Sequence, residues 1–245
     1  VISKPDASST VTFGNINSPT STVTVNHYGS YTLRWTETNG NCTFSPADIT
    51  FTFYERPDGA SAGTAPTPAC DALNTTLAGT EHTYAAAPNV NAGTQTWSVI
   101  SKPAVSSTVT FGNINSPTST VTVNHYGTYT LRWTEANGNC TFSPADITFT
   151  FYERPDGASA GTAPTPACDA LNTTLAGTEH TYAAAPNVNA GTQTWSVISK
   201  PAVSSTVTFG NINSPTSTVT VNHYGTYTLR WTETNGNCTF SPADI

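Results

Sequence analysis

The sequence predicts an all-β protein of tandem seven-stranded β-sandwiches arranged end to end. Two observations support this prediction. The chain repeats with a period of 98 residues, as the alignment of Val1, Val99 and Val197 shows, and apolar residues alternate with polar ones inside each copy. A long fixed period indicates a repeated structural unit, and a period of two indicates strands with one buried face.

The clearest strands lie in the hairpin of residues 127–153. Both halves of this hairpin alternate aromatic or aliphatic residues with polar ones, and Asn137-Gly138 between them is a strong turn signal. A hairpin with one apolar face needs a second sheet to cover that face. The same hairpin occurs at residues 29–55 and begins a third time at Gly225.

Turn signals, including Ala87-Pro88-Asn89, divide a complete copy into seven expected strands. These are residues 74–78, 81–86, 94–101, 108–111, 119–123, 127–135 and 146–153. Seven short strands without helical periodicity predict a two-sheet, immunoglobulin-like sandwich. In such a sandwich we expect Trp97 in the core, Tyr129 at a tyrosine corner, and Leu131 where many such domains have a cysteine.

The chain holds about two and a half copies of this unit. Residues 1–57 are the C-terminal part of one copy, 67–161 are a complete copy, and 165–245 are a copy that lacks most of its last strand. The interval 56–68 is rich in proline, glycine and small residues, which predicts a stiff linker or a turn-rich joint. Because the sequence starts and stops inside predicted strands, we expect a longer repetitive polypeptide.

Composition narrows the classes of partner. Only 9% of the 245 residues are charged, and the net charge is −7. An acidic surface argues against nucleic acid, which needs a basic face, and against a polybasic membrane contact. No apolar run approaches the length of a membrane span. The abundance of Thr, Ser, Asn and Gly suits an extracellular β-protein.

The five cysteines fall at two positions of the repeat: Cys70 and Cys168 before the first strand, and Cys42, Cys140 and Cys238 in the last hairpin loop. In a seven-stranded sandwich we expect that loop at the end where the chain enters. The predicted disulfides are therefore Cys70–Cys140 and Cys168–Cys238, with Cys42 paired upstream of Val1. A Cys42–Cys70 bond between neighbouring units is the alternative. Paired cysteines indicate an oxidising, extracellular setting.

No G-x-S-x-G, Walker, H-E-x-x-H or EF-hand motif is present, so we expect no catalytic residue, no cofactor and no metal. His125 is expected to be a packed or solvated turn residue rather than a base or a ligand. Asp156 and Asp169 are the candidates for a calcium site in the joint, with solvated turn residues as the alternative. Tyr152, on the polar face of the last strand, is the candidate surface contact.

Several stretches resemble a known family. They are Cys-Asp-Ala-Leu from 70, Gly-Thr-Gln-Thr-Trp-Ser-Val from 93, Tyr-Gly-Thr-Tyr-Thr-Leu-Arg-Trp-Thr from 126, Asn-Gly-Asn-Cys from 137 and Ala-Asp-Ile-Thr-Phe-Thr-Phe from 145. They are similar to PKD-like, immunoglobulin-like repeats of giant surface adhesins of the Bacteroidota, including gliding-motility adhesins. The chain departs from standard PKD domains because Ser-Val-Ile-Ser follows Trp97 in place of their Asp-Phe-Gly-Asp-Gly turn. The resemblance implies export to the cell surface and a filament that contacts substrata or other cells.

The sequence therefore predicts a non-enzymatic structural segment of a long extracellular filamentous surface adhesin. Near-identical tandem copies provide reach and multivalent attachment. The expected partners are further copies of the repeat in the same chain, neighbouring filaments or surface glycans, with no nucleic acid and no membrane insertion. The alternatives are a glycan-binding sandwich module and spacer repeats in a secreted multidomain enzyme.

Overall fold

A computed structural model describes residues 1–86, 93–143, 146–184, 191–241 and 244–245. Within these ranges every regular element is a β-strand, and all strand pairings are antiparallel. The predicted all-β class is therefore confirmed. The turn expected at Ala87-Pro88-Asn89 lies outside the described residues. Among the described residues, no helix is long and apolar enough to cross a membrane.

The strands fall into three groups, one for each unit. The first contains β1 (Val11–Phe13), β2 (Val23–Val25), β3 (Gly29–Leu33), β4 (Glu37–Asn39), β5 (Cys42–Phe44) and β6 (Ile49–Phe53). The second, complete unit contains β7 (Asn74–Thr76), β8 (Thr94–Ser101), β9 (Val109–Phe111), β10 (Thr120–Val123), β11 (Gly127–Asn137), β12 (Cys140–Phe142) and β13 (Ile147–Phe151). The third contains β14 (Asn172–Thr174), β15 (Thr192–Ser199), β16 (Val207–Phe209), β17 (Thr218–Val221), β18 (Thr228–Asn235) and β19 (Cys238–Phe240).

The second unit is a sandwich of two sheets. One sheet has the order β7-β10-β9, and the other places β11 between β8 on one side and β12 with β13 on the other. The alternation along β11 buries Tyr129, Leu131 and Trp133 completely between the sheets. Trp97 on β8 packs against Trp133 with 5.2 Å between ring centroids. The second and third units each have a core cluster of their own.

Two finer expectations for the core are confirmed. The Tyr129 hydroxyl donates a hydrogen bond to the His125 carbonyl, 2.9 Å away, which is the tyrosine corner. Leu131 is fully buried, so apolar packing fills the position where many such domains have a cysteine.

One predicted strand is wrong. Residues 81–86 form no strand, and the preceding residue, Thr80, makes only an isolated bridge with Ser61. That bridge draws the start of the expected linker into the second unit, where Pro57, Ala60 and Ala62 are buried. Gly63, with φ +77°, lies so close to the backbone of Ala78 that a Cβ would clash. The packing of the second unit thus begins before residue 67, inside the interval 56–68.

The interval 56–68 runs the length of the second unit before the first strand begins. It enters at the end that carries the turn after Asn137, which we call the proximal pole. It reverses in a turn at Cys70 and Asp71 at the opposite end, the distal pole. There the Asp71 N–H donates to the Tyr152 carbonyl at 3.0 Å, just beyond the last strand. Asp71 takes φ 65°, the left-handed conformation that such a reversal requires.

Candidate functional site at the junction between units

The deeply buried acidic and amide side chains gather where one unit meets the next. Glu135 and Asn137 at the end of β11 are 3% and 2% exposed, and their copies Glu233 and Asn235 are buried to the same degree. The period-two pattern that buries Trp133 also turns Glu135 and Asn137 inward at the proximal pole. A buried carboxylate needs donors around it, and the junction supplies them.

Glu135 organises the wall of the second unit. Its carboxylate accepts a hydrogen bond from the indole Nε1 of Trp133 at 2.9 Å and from the backbone N–H of His82 at 3.2 Å. Both donors belong to the same unit, so Glu135 fixes the returning chain against the end of β11. This places the His82 ring at the surface that faces the first unit.

Glu55, just after the last strand of the first unit, joins the two units. Its Oε2 accepts the N–H of Ala85 at 2.9 Å, and its Oε1 lies 3.4 Å from Nε2 of His82. Its backbone carbonyl accepts a bond from the Asn137 side-chain amide at 3.0 Å. One residue of the first unit therefore contacts three separate residues of the second.

The tautomer of His82 follows from its contacts. Nδ1 accepts the N–H of Gly59 at 3.0 Å, so the neutral ring carries its proton on Nε2, which faces Glu55. The ring packs edge-on against Tyr84, with 4.6 Å between centroids. Burial, followed by the nearby Glu135 and Glu55 carboxylates, raises the pKa of Tyr84 and keeps the phenol neutral. These buried contacts join the first unit to the second.

Tyr54 seals the same junction. Its ring lies directly over Gly138, where any Cβ would collide with the ring carbons. Gly138 also has φ +59°, so the turn needs glycine for its backbone and for its neighbour. The Asn137-Gly138 signal predicted the turn but gave no sign of the ring that covers it.

The second junction repeats the first with equivalent residues. The Gly157 N–H donates to Nδ1 of His180 at 2.9 Å, and the Ala183 N–H donates to the Glu153 carboxylate at 3.0 Å. The Asn235 side-chain amide donates to the Glu153 carbonyl at 2.9 Å, and the Tyr152 ring covers Gly236. The same set of contacts, formed twice, defines one interface that can be continued from unit to unit.

The second junction also carries a disulfide, Cys70–Cys238, between cysteines 168 positions apart. The predicted pairs Cys70–Cys140 and Cys168–Cys238 are wrong, and so is the alternative Cys42–Cys70. Cys70 lies at the distal pole of the second unit, whereas Cys140 lies at its proximal pole, 4.0 Å from the Tyr54 carbonyl. The prediction failed because the interval 56–68 spans the unit before Cys70. Among the described residues, Cys42, Cys140 and Cys168 are unbonded.

Neighbouring contacts close the disulfide-linked junction. Sγ of Cys238 lies 3.6 Å from the Tyr152 carbonyl, and the Asn237 amide donates to the Pro68 carbonyl at 2.9 Å. The Tyr126 hydroxyl donates to Asp71 at 2.7 Å. Burial first, and then this bond to Asp71, raises the pKa of Tyr126, with Glu153 and Asp156 contributing from nearby.

The remaining candidate residues are placed as follows. Tyr152 is half-buried over Gly236 rather than free on a polar face, so its role as a surface contact stays a prediction. His125 is half-buried in its turn. Asp156 lies 4.0 Å from His180, whereas Asp169 lies in the distal turn with Tyr224. In the described part of the chain, no group of three acidic, histidine or cysteine residues is arranged to hold a metal.

Glu55, His82 and Asn137 were not singled out as site residues from the sequence. One available signal was the alternation itself, which continues past Trp133 and assigns Glu135 and Asn137 to the buried face. The partner residues come from another unit, and their proximity depends on how units dock.

Comparisons with known proteins find distant likeness among solved structures. No family model matches the chain, and no curated protein matches it. A solved structure of domains 4–9 of the surface layer protein SbsC is similar at 16% identity with a TM-score of 0.25. That match covers all of this chain and 39% of the other.

Proposed function

We propose that this chain is a structural, non-enzymatic repeat segment of a long extracellular filament, a surface adhesin that provides reach and multivalent attachment. The observation that supports the proposal best is the junction, formed twice with equivalent contacts. An interface that joins the last strand of one unit to the proximal pole of the next is heterologous, and in this proposal it continues without closing into a ring. Such interfaces generate open linear assemblies.

The junction also favours a stiff filament over beads on flexible tethers. The residues between units are buried or hydrogen-bonded: Pro57 is fully buried, and Glu55 contacts His82 and Ala85 across the boundary. A linker held in this way cannot swivel freely, unlike a Gly/Ser tether. The end-to-end length of a stiff filament grows in proportion to the number of copies.

The disulfide and the scarcity of charge support an extracellular location. Disulfides persist in oxidising compartments and are rare in the cytosol, and Cys70–Cys238 joins two units. In this proposal the main partner of each unit is the next copy of the repeat, and attachment to other surfaces comes from the many copies displayed together.

The mass of the native polypeptide from its source, reduced and denatured, tests the proposal. We expect a mass many times the 25.7 kDa of the present chain, because a filament needs many copies. Electron microscopy of the unreduced polypeptide should show straight rods with the period of one unit. A mass only slightly above that of this chain, or a flexible string of beads, would rule the filament out.

A further inference from the structure

Three thiols remain after the Cys70–Cys238 bond, and they occupy the same two repeat positions as the bonded pair. Cys42 and Cys140 match Cys238 in the last hairpin, and Cys168 matches Cys70 in the distal turn. The repeat therefore offers two kinds of half-site, one on each side of a junction.

The hairpin half-site at Cys140 is already built. Its Sγ lies 4.0 Å from the Tyr54 carbonyl, and the bonded Cys238 lies 3.6 Å from the equivalent carbonyl of Tyr152. The contacts of Asn137 and Gly138 with the first unit also match those in the bonded junction. In the bonded junction the distal turn of the preceding unit supplies both Cys70 and the Pro68 carbonyl, and the equivalent position for Cys140 precedes Val1.

The turn half-site at Cys168 is also formed. Asp169 has φ 58°, close to the 65° of Asp71, and the Ala170 N–H donates to the Ala167 carbonyl at 3.1 Å. The bonded turn has the same bond, from Ala72 to Ala69, at 3.1 Å. Cys168 is exposed, whereas its counterpart Cys70, bonded to Cys238, is half-buried.

We propose that Cys140 and Cys168 form the same bond with further copies of the repeat. Cys140 takes the distal-turn cysteine of the unit that precedes the first, and Cys168 takes the hairpin cysteine of the unit that follows the third. This inference rests on the proposed function, since it needs those copies in one polypeptide. In each bond two thiols lose two protons and two electrons to a small-molecule disulfide oxidant, which is reduced to two thiols.

The spacing gives the bonds an unusual connectivity. Each bond spans 168 positions, but the repeat is 98 residues long, so successive bonds overlap. Cys140 and Cys168 both lie in the sequence between Cys70 and Cys238, but the proposed bonding partner of each lies outside that interval. The result is a covalent ladder, by which we mean a series of overlapping disulfides that each join the distal turn of one unit to the hairpin of the next.

Tryptic digestion separates the cysteines into different peptides, so disulfide-linked peptides identify the connectivity. Of the eight basic residues, five precede proline, where trypsin does not cut, which leaves cleavage after Arg34, Arg132 and Arg230. In the present chain Cys42 and Cys70 then lie in peptide 35–132, Cys140 and Cys168 lie in 133–230, and Cys238 lies in 231–245. Alkylation of free thiols before digestion marks every unbonded cysteine.

Two samples are compared by mass spectrometry without reduction. In the isolated 245-residue chain, the control, we expect 231–245 linked to 35–132 through Cys70, and alkylated thiols at Cys42, Cys140 and Cys168. In the native polypeptide, the peptide carrying Ala136 should have no alkylated cysteine and should be linked at both Cys140 and Cys168. Alkylated Cys140 or Cys168 in the native polypeptide would overturn the proposal, and so would a Cys70–Cys140 or Cys168–Cys238 link.

The outcome is separable from that of the proposed function. A long polypeptide with free thiols at these positions keeps the filament and overturns the ladder. A short polypeptide overturns the filament through its reduced mass, which does not depend on the state of any cysteine.

Discussion

The hairpins at residues 29–55 and 127–153 differ at two positions, Ser30 against Thr128 and Thr38 against Ala136, yet they differ widely in structure. In the second unit β11 runs unbroken from Gly127 to Asn137, whereas in the first the same residues split into β3 and β4. Ile147 is 5% exposed and its counterpart Ile49 is 63% exposed.

The difference shows what a hairpin needs from its neighbours. In the second unit β8 pairs along β11, and Tyr54 and Glu55 of the preceding unit cover the hairpin turn. In the first unit Val1 is the equivalent of Val99, so only the last three residues of a β8 equivalent are present, and they make the isolated bridge between Ser3 and Thr32. The sequence of the hairpin is therefore sufficient for its turn and pairing, but not for its burial.

The largest effect is expected at the hairpin cysteines, where three identical loops differ in bonding. Cys238→Ser should lower the free energy of unfolding by about 5 kcal/mol, because the chain-entropy model assigns that cost to opening a loop of this length. Urea denaturation of the oxidised chain measures it. Cys140→Ser is the matched control and should change stability by less than about 0.5 kcal/mol. Equal losses in both variants would contradict the observed pairing.

Removing a phenyl ring from the last strand comes next. Phe149→Ala should cost about 3–5 kcal/mol, as expected for a large buried side chain. The same change at Phe51 should cost clearly less, because that ring is only half-buried. Denaturation of both variants in parallel checks the ranking, and a larger loss at Phe51 would reverse the comparison between the units.

The buried carboxylate gives a further matched pair. Glu135→Ala removes the acceptor of two buried donors, from His82 and Trp133, at a cost of about 1–3 kcal/mol each. Glu37 accepts the equivalent indole bond from Trp35, but it is exposed, so Glu37→Ala should be near neutral. Loss of His82 amide protection in hydrogen exchange should accompany Glu135→Ala. Unchanged protection would show that Glu135 does not hold the chain there.

The smallest effect separates the two turns. Gly40 and Gly138 have φ of 61° and 59°, so alanine strains both backbones equally. A Cβ at Gly40 meets no atom within 4 Å, whereas at Gly138 it meets the Tyr54 ring. Gly138→Ala should therefore cost about 1 kcal/mol more than Gly40→Ala. That excess cost should vanish in a Tyr54→Ala background. If the excess cost remains there, a group other than the Tyr54 ring must cause it.

Local patterns predicted the local structure. Alternation and the Asn137-Gly138 pair gave the hairpin, and unit length together with Trp97 and Tyr129 gave the sandwich core. The strand expected at residues 81–86 failed because Thr80 pairs with Ser61, in an interval whose prolines and glycines suggested a linker. The disulfide failed for the same reason, since the path of that interval decides which pole Cys70 occupies. Contacts between units, such as Glu55 with Ala85, depend on docking and leave no periodic trace.

The Cys70–Cys238 bond also decides how the molecule carries load. When the two ends are pulled apart, tension reaches Cys70 and crosses to Cys238 through the sulfur atoms, so nearly all of the second and third units is bypassed. The 168 positions between the cysteines would add about 600 Å of contour length if they were paid out, at up to about 3.6 Å per residue. While the bond holds, that length stays hidden. After reduction, force could unfold the bridged units and extend the chain by that length.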